Sequence, residues 1–131
     1  MINIIAIQSI LQSFVSDISD IQGATLVSPD GLAIASALPE RVDEERIAAM
    51  TAAMLSIGER IGRELARGQI DRVIVVGEKG YSVLVNCSDD AVLLILANAN
   101  AKQGLLFLEI KRAVAELVPL LAEQPKANLL T

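Results

Sequence analysis

Histidine and tryptophan are absent from this chain of 131 residues, and cysteine occurs once, as Cys87. Without histidine the chain lacks the commonest general base and the commonest metal ligand, so catalytic triads of the usual kind are excluded. A single cysteine cannot form an internal disulfide, and this favours a cytoplasmic protein. We therefore expect no enzymatic activity, no metal and no other cofactor.

Aromatic side chains and positive charges are also scarce. Aromatic residues make up 2% of the chain, and 11 Lys and Arg stand against 16 Asp and Glu, for a net charge of −5. Nucleic-acid binding needs a basic patch, and single strands need stacking platforms, so no nucleic-acid partner is expected. The longest charge-free stretch, residues 1–16, is too short and too polar to span a bilayer, which takes about 20 apolar residues, so no membrane insertion is expected either.

The abundant residues are aliphatic. Hydrophobic residues reach 53% of the chain, enough for a core in a single domain of this length. We assign residues 1–123 to that domain and residues 124–131 to a flexible C-terminal tail.

Hydrophobic periodicity and turn residues predict eight elements in the order helix, two strands, helix, three strands, helix. The second helix is expected to begin after the N-cap Asp43 and to run to about Arg67. Short loops make the strands antiparallel neighbours. The fold class is therefore α+β, an α/β sandwich with a single five-stranded antiparallel sheet and helices on both faces, in the order α-β-β-α-β-β-β-α.

The second helix carries two apolar stripes, whereas a surface helix needs one. Residues at the helical spacing form a bulky stripe (Ile47, Met50, Met54, Ile57, Ile61 and Leu65) and a stripe of mostly small residues (Ala48, Thr51, Ala52, Leu55, Gly58, Gly62 and Ala66). We interpret the bulky stripe as facing the sheet and the small stripe as facing the same helix of a second chain. The alternative is that a loop or helix of the same chain fills the groove above the small residues.

The strand at residues 70–76 supports a homodimer, because it is nearly all apolar after Arg72 and is expected at a sheet edge. An unprotected edge of this kind is an aggregation hazard unless it is paired or covered. The predicted dimer interface combines the helix and this strand: Ala48, Thr51, Ala52, Leu55, Gly58, Glu59, Gly62, Val73 and Val75.

The polar face of the same helix carries Arg60, Arg63 and Arg67. An arginine can accelerate phosphoryl transfer when it reaches into a GTPase. The alternative is that the three arginines lie on a solvated face and pair in part with Glu59 and Glu64. We favour this alternative over a catalytic role. The three arginines are the candidate residues for contact with a partner protein.

Three segments resemble the Roadblock/dynein light chain family: residues 23–32 (GATLVSPDGL), 52–59 (AAMLSIGE) and 99–105 (ANAKQGL). The resemblance covers most of the chain and favours a bacterial stand-alone member of the GTPase-regulator type. It implies a five-stranded sheet between three helices, dimerisation through the central helix and adjoining strand, and regulation of small Ras-like GTPases or scaffolding of motors and signalling complexes.

The leading hypothesis is a non-enzymatic homodimeric module that binds and regulates a small Ras-like GTPase. The first alternative is a structural adaptor in a motor or signalling assembly, with no effect on nucleotide turnover. A small-molecule sensor ranks lower, because the interior positions are aliphatic and no converging polar groups are evident.

Overall fold

The computed structural model describes residues 3–121 and contains all eight predicted elements in the predicted order. The predicted domain boundary at residue 123 and the predicted tail, residues 124–131, lie outside the described residues. The elements are α1 (Ile4–Asp17), β1 (Ile21–Val27), β2 (Ala33–Ala37), α2 (Glu44–Glu64), β3 (Arg72–Gly77), β4 (Gly80–Ser88), β5 (Ala91–Asn98) and α3 (Gln103–Leu121).

The five strands form one antiparallel sheet in the order β2-β1-β5-β4-β3. The β1–β2 hairpin joins the three consecutive strands β3, β4 and β5 where β1 pairs with β5, with Thr25 opposite Leu94. This pairing places β2 at one edge of the sheet and β3 at the other. The prediction of an edge position for the strand that follows the second helix is confirmed.

Helices cover both faces of the sheet, as predicted. Helices α1 and α3 contact each other and share one face, whereas α2 lies on the other. Strand side chains alternate between the faces. On β5, Leu93 and Ile95 therefore join the core beneath α1 and α3, while Val92 and Leu94 pack beneath α2 with Leu55.

The ends of α2 follow from local chemistry. Asp43 caps the helix as predicted, since its side chain accepts a hydrogen bond from the Arg46 backbone N–H at 3.2 Å. The helix ends at Glu64, three residues before the predicted Arg67. Ala66 adopts a left-handed conformation with φ 56°, and this reversal ends the helix before Gly68 is reached.

Cys87 is buried in the core beneath α1 and α3. Burial disfavours the charged thiolate and raises the pKa of the Cys87 thiol from 9.0 to about 12. The thiol is therefore a small hydrophobic core group that stays protonated at neutral pH.

The raised pKa of Cys87 predicts a pH-dependent loss of stability at alkaline pH. Below pH 9 the thiol is protonated in both the folded and unfolded states, so it adds no pH dependence to the unfolding free energy. Between about pH 9 and 12 the unfolded chain loses this proton and the folded chain keeps it, so the unfolding free energy falls by up to ~1.4 kcal/mol per pH unit.

Urea unfolding at several pH values would measure this fall. The informative quantity is the difference in unfolding free energy between the wild type and Cys87→Ala at each pH, because it isolates the contribution of the thiol. A constant difference across this range would contradict the assignment of a buried, protonated thiol.

Candidate protein-binding site

The small residues of α2 face the protein's own sheet. Ala48, Thr51, Leu55 and Gly62 are buried in the protomer, although sequence analysis expected them at an interface with a second chain. That part of the prediction is wrong. The reason is steric: short side chains let the helix backbone approach the aliphatic sheet surface closely, and long ones would hold it away.

The two glycines of α2 show how close this approach is. A Cβ added to Gly58 would lie 2.8 Å from Val73 Cγ2, and one added to Gly62 would lie 2.7 Å from the Gly68 backbone oxygen and from Ile70 Cδ1. Both distances are shorter than a van der Waals contact. The glycines are therefore required by packing within one chain, and the alternative that the same chain fills the groove is the correct one.

The bulky side chains of α2 point into solvent instead. We name the α2 apolar stripe as the five large exposed residues along this face. Their exposed fractions run from 38% for Met54 to 61% for Leu65, and the stripe consists of Met50, Met54, Ile57, Ile61 and Leu65. The sixth predicted member, Ile47, is partly buried and packs against the sheet. A contiguous exposed apolar row of this kind is typical of a protein-binding surface.

The edge strand β3 continues this surface. Val75 is 46% exposed and points to the same sheet face as α2, while Ile74 and Val76 point to the opposite face and are 37% and 64% exposed. Within residues 3–121, no further strand pairs with the outer edge of β3, so its backbone groups face solvent. The stripe and the strand meet where Gly58 lies over the half-buried Val73.

Two further residues predicted at the interface lie elsewhere. Ala52 is half-buried, near the β1–β2 turn at Gly31. Glu59 is also half-buried and lines an open groove of about 1030 Å³, together with Gly62, Arg63 and Asp89. Of the nine predicted residues, Val75 is thus the one with a large exposed side-chain surface beside the stripe.

The chain matches the Roadblock/LC7 domain over residues 7–97. It is 34% identical over 97 residues to an uncharacterized protein of Methanocaldococcus jannaschii, an alignment that covers 74% of this chain and 84% of that protein. The chain belongs to the Roadblock/LC7 family. The family resemblance inferred from the three sequence segments is therefore confirmed.

Solved Roadblock structures share the fold. Myxococcus xanthus MglB superposes with a TM-score of 0.86 at 19% identity, covering 95% of this chain and 96% of MglB. A Roadblock/LC7 domain from Streptomyces avermitilis superposes with a TM-score of 0.82 at 20% identity, covering 88% of this chain and 98% of that domain. At these identities the likeness shows a shared fold.

In this Roadblock chain the three candidate arginines lie exposed at the C-terminal end of α2 and just beyond it. Arg60 Nε donates to Glu64 Oε2 at 2.6 Å, which confirms the expected pairing on a solvated face. Arg67 Nε donates to the Leu65 backbone oxygen at 2.9 Å. Arg63 borders the groove beside Glu59, so each of the three arginines has a different local contact.

The described part of this Roadblock chain offers no group of three or more Cys, Asp or Glu residues placed to hold a metal ion. None of its helices within residues 3–121 is both long enough and apolar enough to cross a membrane. The chemistry that its exposed surface presents is apolar contact, edge-strand pairing and charged borders.

Sequence reasoning found both stripes of α2 but assigned them to the wrong sides. Neighbouring charge does not distinguish the two stripes: at 100° per residue Arg46 and Glu64 border the bulky stripe, and Glu59 and Arg63 border the small one. The helical pattern therefore carries no signal for the side that each stripe takes.

The close approach of α2 predicts opposite outcomes for two helical Gly→Ala substitutions. Gly62→Ala is expected to lower the unfolding free energy by about 1–3 kcal/mol, because its methyl group would meet the Gly68 backbone oxygen, which cannot move cheaply. Gly104→Ala in α3 meets nothing within 4 Å and should leave stability equal or up to ~1 kcal/mol higher, through helix propensity.

Urea unfolding of the two variants at one protein concentration measures this difference. A Gly62→Ala variant as stable as the wild type would show that α2 does not sit as closely on the segment between α2 and β3 as described.

Proposed function

We propose that this Roadblock protein is a homodimeric protein-binding module that regulates a small Ras-like GTPase and performs no catalysis itself. The observation that carries the dimer is the α2 apolar stripe, which runs beside the open edge of β3 on a single surface. The dimer is thus proposed on the same two elements as in the sequence analysis, but through the opposite face of α2.

Burial of the stripe supplies the free energy for association. Removing one large aliphatic side chain from water contributes about 1.5–3 kcal/mol. The stripe offers five such side chains in each subunit, and because they are 38–61% exposed in the protomer, burying the rest of each contributes roughly half of that amount. Even after the entropic cost of association, this is enough for a stable complex if the opposing surface is also apolar.

A second copy of the chain satisfies both parts of the surface at once. A two-fold axis brings each patch against itself, so an apolar stripe meets an apolar stripe and a strand edge meets a strand edge. Pairing of β3 with its copy would satisfy the backbone groups of both edges and join the two sheets. A partner of different structure would need to present both features in the same relative position.

The GTPase is proposed from the family to which the chain belongs, supported by the fold it shares with MglB. Arg60, Arg63 and Arg67 lie outside the stripe and would remain available as a contact surface. Because Arg60 and Arg67 are held by hydrogen bonds within the chain, we propose that the dimer acts by positioning groups of the GTPase itself rather than by supplying an arginine finger.

The alternative is a structural adaptor that uses the same dimer to join other proteins in a motor or signalling assembly. It requires the stripe and the edge strand equally, and it differs in having no effect on nucleotide turnover. Cytoplasmic localisation is proposed for both functions.

The proposed interface predicts that Ile61→Asp breaks the dimer. Each dimer would lose two buried isoleucines and gain two desolvated carboxylates, so we expect the dimer dissociation constant to rise by at least about 100-fold. Leu105→Asp on α3 is the matched control, because Leu105 is 55% exposed and Ile61 is 51% exposed. Sedimentation equilibrium of the two variants and the wild type measures the effect.

If Leu105→Asp weakens association and Ile61→Asp does not, the dimer uses a different surface. Circular dichroism of both variants would establish that the monomers remain folded.

The regulatory function predicts a change in nucleotide turnover. Adding the purified protein to Ras-like GTPases of the same genome should alter the rate of phosphate release or nucleotide exchange of one of them by about tenfold or more. Replacing Arg60, Arg63 and Arg67 together by alanine should reduce this effect, while Leu105→Asp should not. An unchanged rate with every GTPase, despite an intact dimer, would favour the structural adaptor.

A further inference from the structure

The two edges of the sheet differ in how far they are open to another strand. Strand β3 at one edge pairs with β4 in continuous register over Arg72–Gly77, and its outer backbone groups face solvent. Strand β2 (Ala33–Ala37) is the opposite edge, and within residues 3–121 no further strand pairs with its outer side either. A sheet with two open edges can add strands at both, so a group that closes one edge decides how the chain assembles.

A side chain of α1 occupies the outer side of β2. Gln8 Nε2 donates a hydrogen bond to the Ser36 backbone oxygen at 2.6 Å, and the Ser36 backbone N–H donates to Gln8 Oε1 at 3.1 Å. A side-chain amide presents the same kinds of donor and acceptor as a peptide group. Both bonds go to one residue, as they do when two residues of antiparallel strands exchange backbone hydrogen bonds. Gln8 therefore takes the place of a residue from a further strand.

The register of β2 shows that these two backbone groups of Ser36 point away from the sheet. Ser36 lies opposite Thr25 of β1. Opposite pairs in antiparallel strands alternate between those that exchange backbone hydrogen bonds and those that do not. Because the Ser36 N–H and C=O bond to Gln8, this pair is of the second kind, and the hydroxyl oxygens of Thr25 and Ser36, 2.6 Å apart, connect it through side chains.

A bulge adds to the closure of β2. Two neighbouring residues of β1 pair with Ala35 and Ala33, so that Ile34 is an extra residue in β2. A bulge interrupts the regular spacing of backbone donors and acceptors that an added strand needs. It limits the regular part of β2 to the last three residues of the strand. Ser36 is the middle one of these three, and it is the residue that Gln8 holds.

We propose that Gln8 closes the β2 edge to strand addition and so limits assembly of the chain to the β3 edge. The closure itself is independent of the proposed homodimer, whereas the limit to two chains rests on it. If β2 were open, homodimers joined through β3 could join further copies through β2. Two different two-fold contacts on one chain generate an open-ended polymer, and a single one generates a closed pair.

Gln8→Met tests the proposal, because methionine is as long as glutamine, has a similar helix propensity and lacks the amide. We expect the mass of this variant to rise with concentration to at least about twice that of the wild type, since Ser36 is then free to pair with another chain. Sedimentation velocity and light scattering measure the effect. Gln12→Met is the matched control, because Gln12 is an exposed glutamine one turn further along α1, and this variant should keep the wild-type mass.

Gln8→Lys separates closure of the edge from a role in stability alone. Lysine also lacks the acceptor for the Ser36 N–H, but its charge at a sheet edge opposes strand addition. We therefore expect Gln8→Lys to keep the wild-type mass while Gln8→Met exceeds it. Equal behaviour of the two variants, with circular dichroism showing that both are folded, would overturn the proposal.

Amide hydrogen exchange tests the contact at a single residue. In the wild type the Ser36 N–H should exchange slowly, although it points outward from an edge strand. In Gln8→Lys it should exchange at least about tenfold faster, whereas the Ala35 N–H, which points toward β1, should change by less than about threefold. A Ser36 amide that exchanges freely in the wild type would show that Gln8 does not hold this edge, and it would overturn the proposal without any variant.

The mass of the wild type separates this inference from the proposed homodimer. If the wild type sediments at 13.9 kDa at every concentration, the homodimer is wrong, and Gln8→Met is still expected to associate through its open β2 edge. If the wild type is a dimer and folded Gln8→Met has the same mass, the homodimer stands and the closure of β2 by Gln8 is wrong.

Discussion

The close packing of α2 on the sheet determines what this protein presents to its surroundings. Gly58 and Gly62 bring the helix backbone against Val73 and Ile70, and a Cβ added to either glycine would come within 2.8 Å of a neighbouring atom. Once that side of the helix is fixed against the sheet, the large side chains of Met54 and Ile57 have solvent as their environment. The exposed surface is thus a consequence of the buried one.

The same packing leaves β3 held from both sides but open at its edge. On one face Val73 lies beneath Gly58, and on the other the Arg72 guanidinium stacks over the Phe107 ring of α3, 4.0 Å from its centroid. The strand is therefore fixed in position while its outer backbone groups remain unpaired. A rigid, open edge beside an apolar helix face is suited to association without rearrangement, because little conformational entropy is lost on binding.

The fold could be predicted from the sequence because its signals are local. The helical spacing of Ile7, Leu11 and Phe14, the turn chemistry of residues 28–31 and the cap at Asp43 each depend on neighbouring residues. The place of β3 at the sheet edge followed from chain order and short loops.

The candidate site was predicted in part. The sequence identified α2 and β3 as the relevant elements and identified both stripes of α2. It did not assign the stripes to the correct sides, because apolar character alone does not say which stripe meets the sheet. That choice depends on how closely the helix backbone approaches its neighbours, which the glycines set: a Cβ added to Gly62 would lie 2.7 Å from the Gly68 oxygen. The early end of α2 was missed for a related reason, since an alanine at φ 56° has no sequence signature.

The chemistry of this surface divides affinity from selectivity. The aliphatic side chains of the stripe contribute free energy in proportion to the area they bury, and such contacts discriminate little between orientations. Charges at the borders contribute little net energy when they are correctly paired, but they penalise every arrangement that opposes like signs.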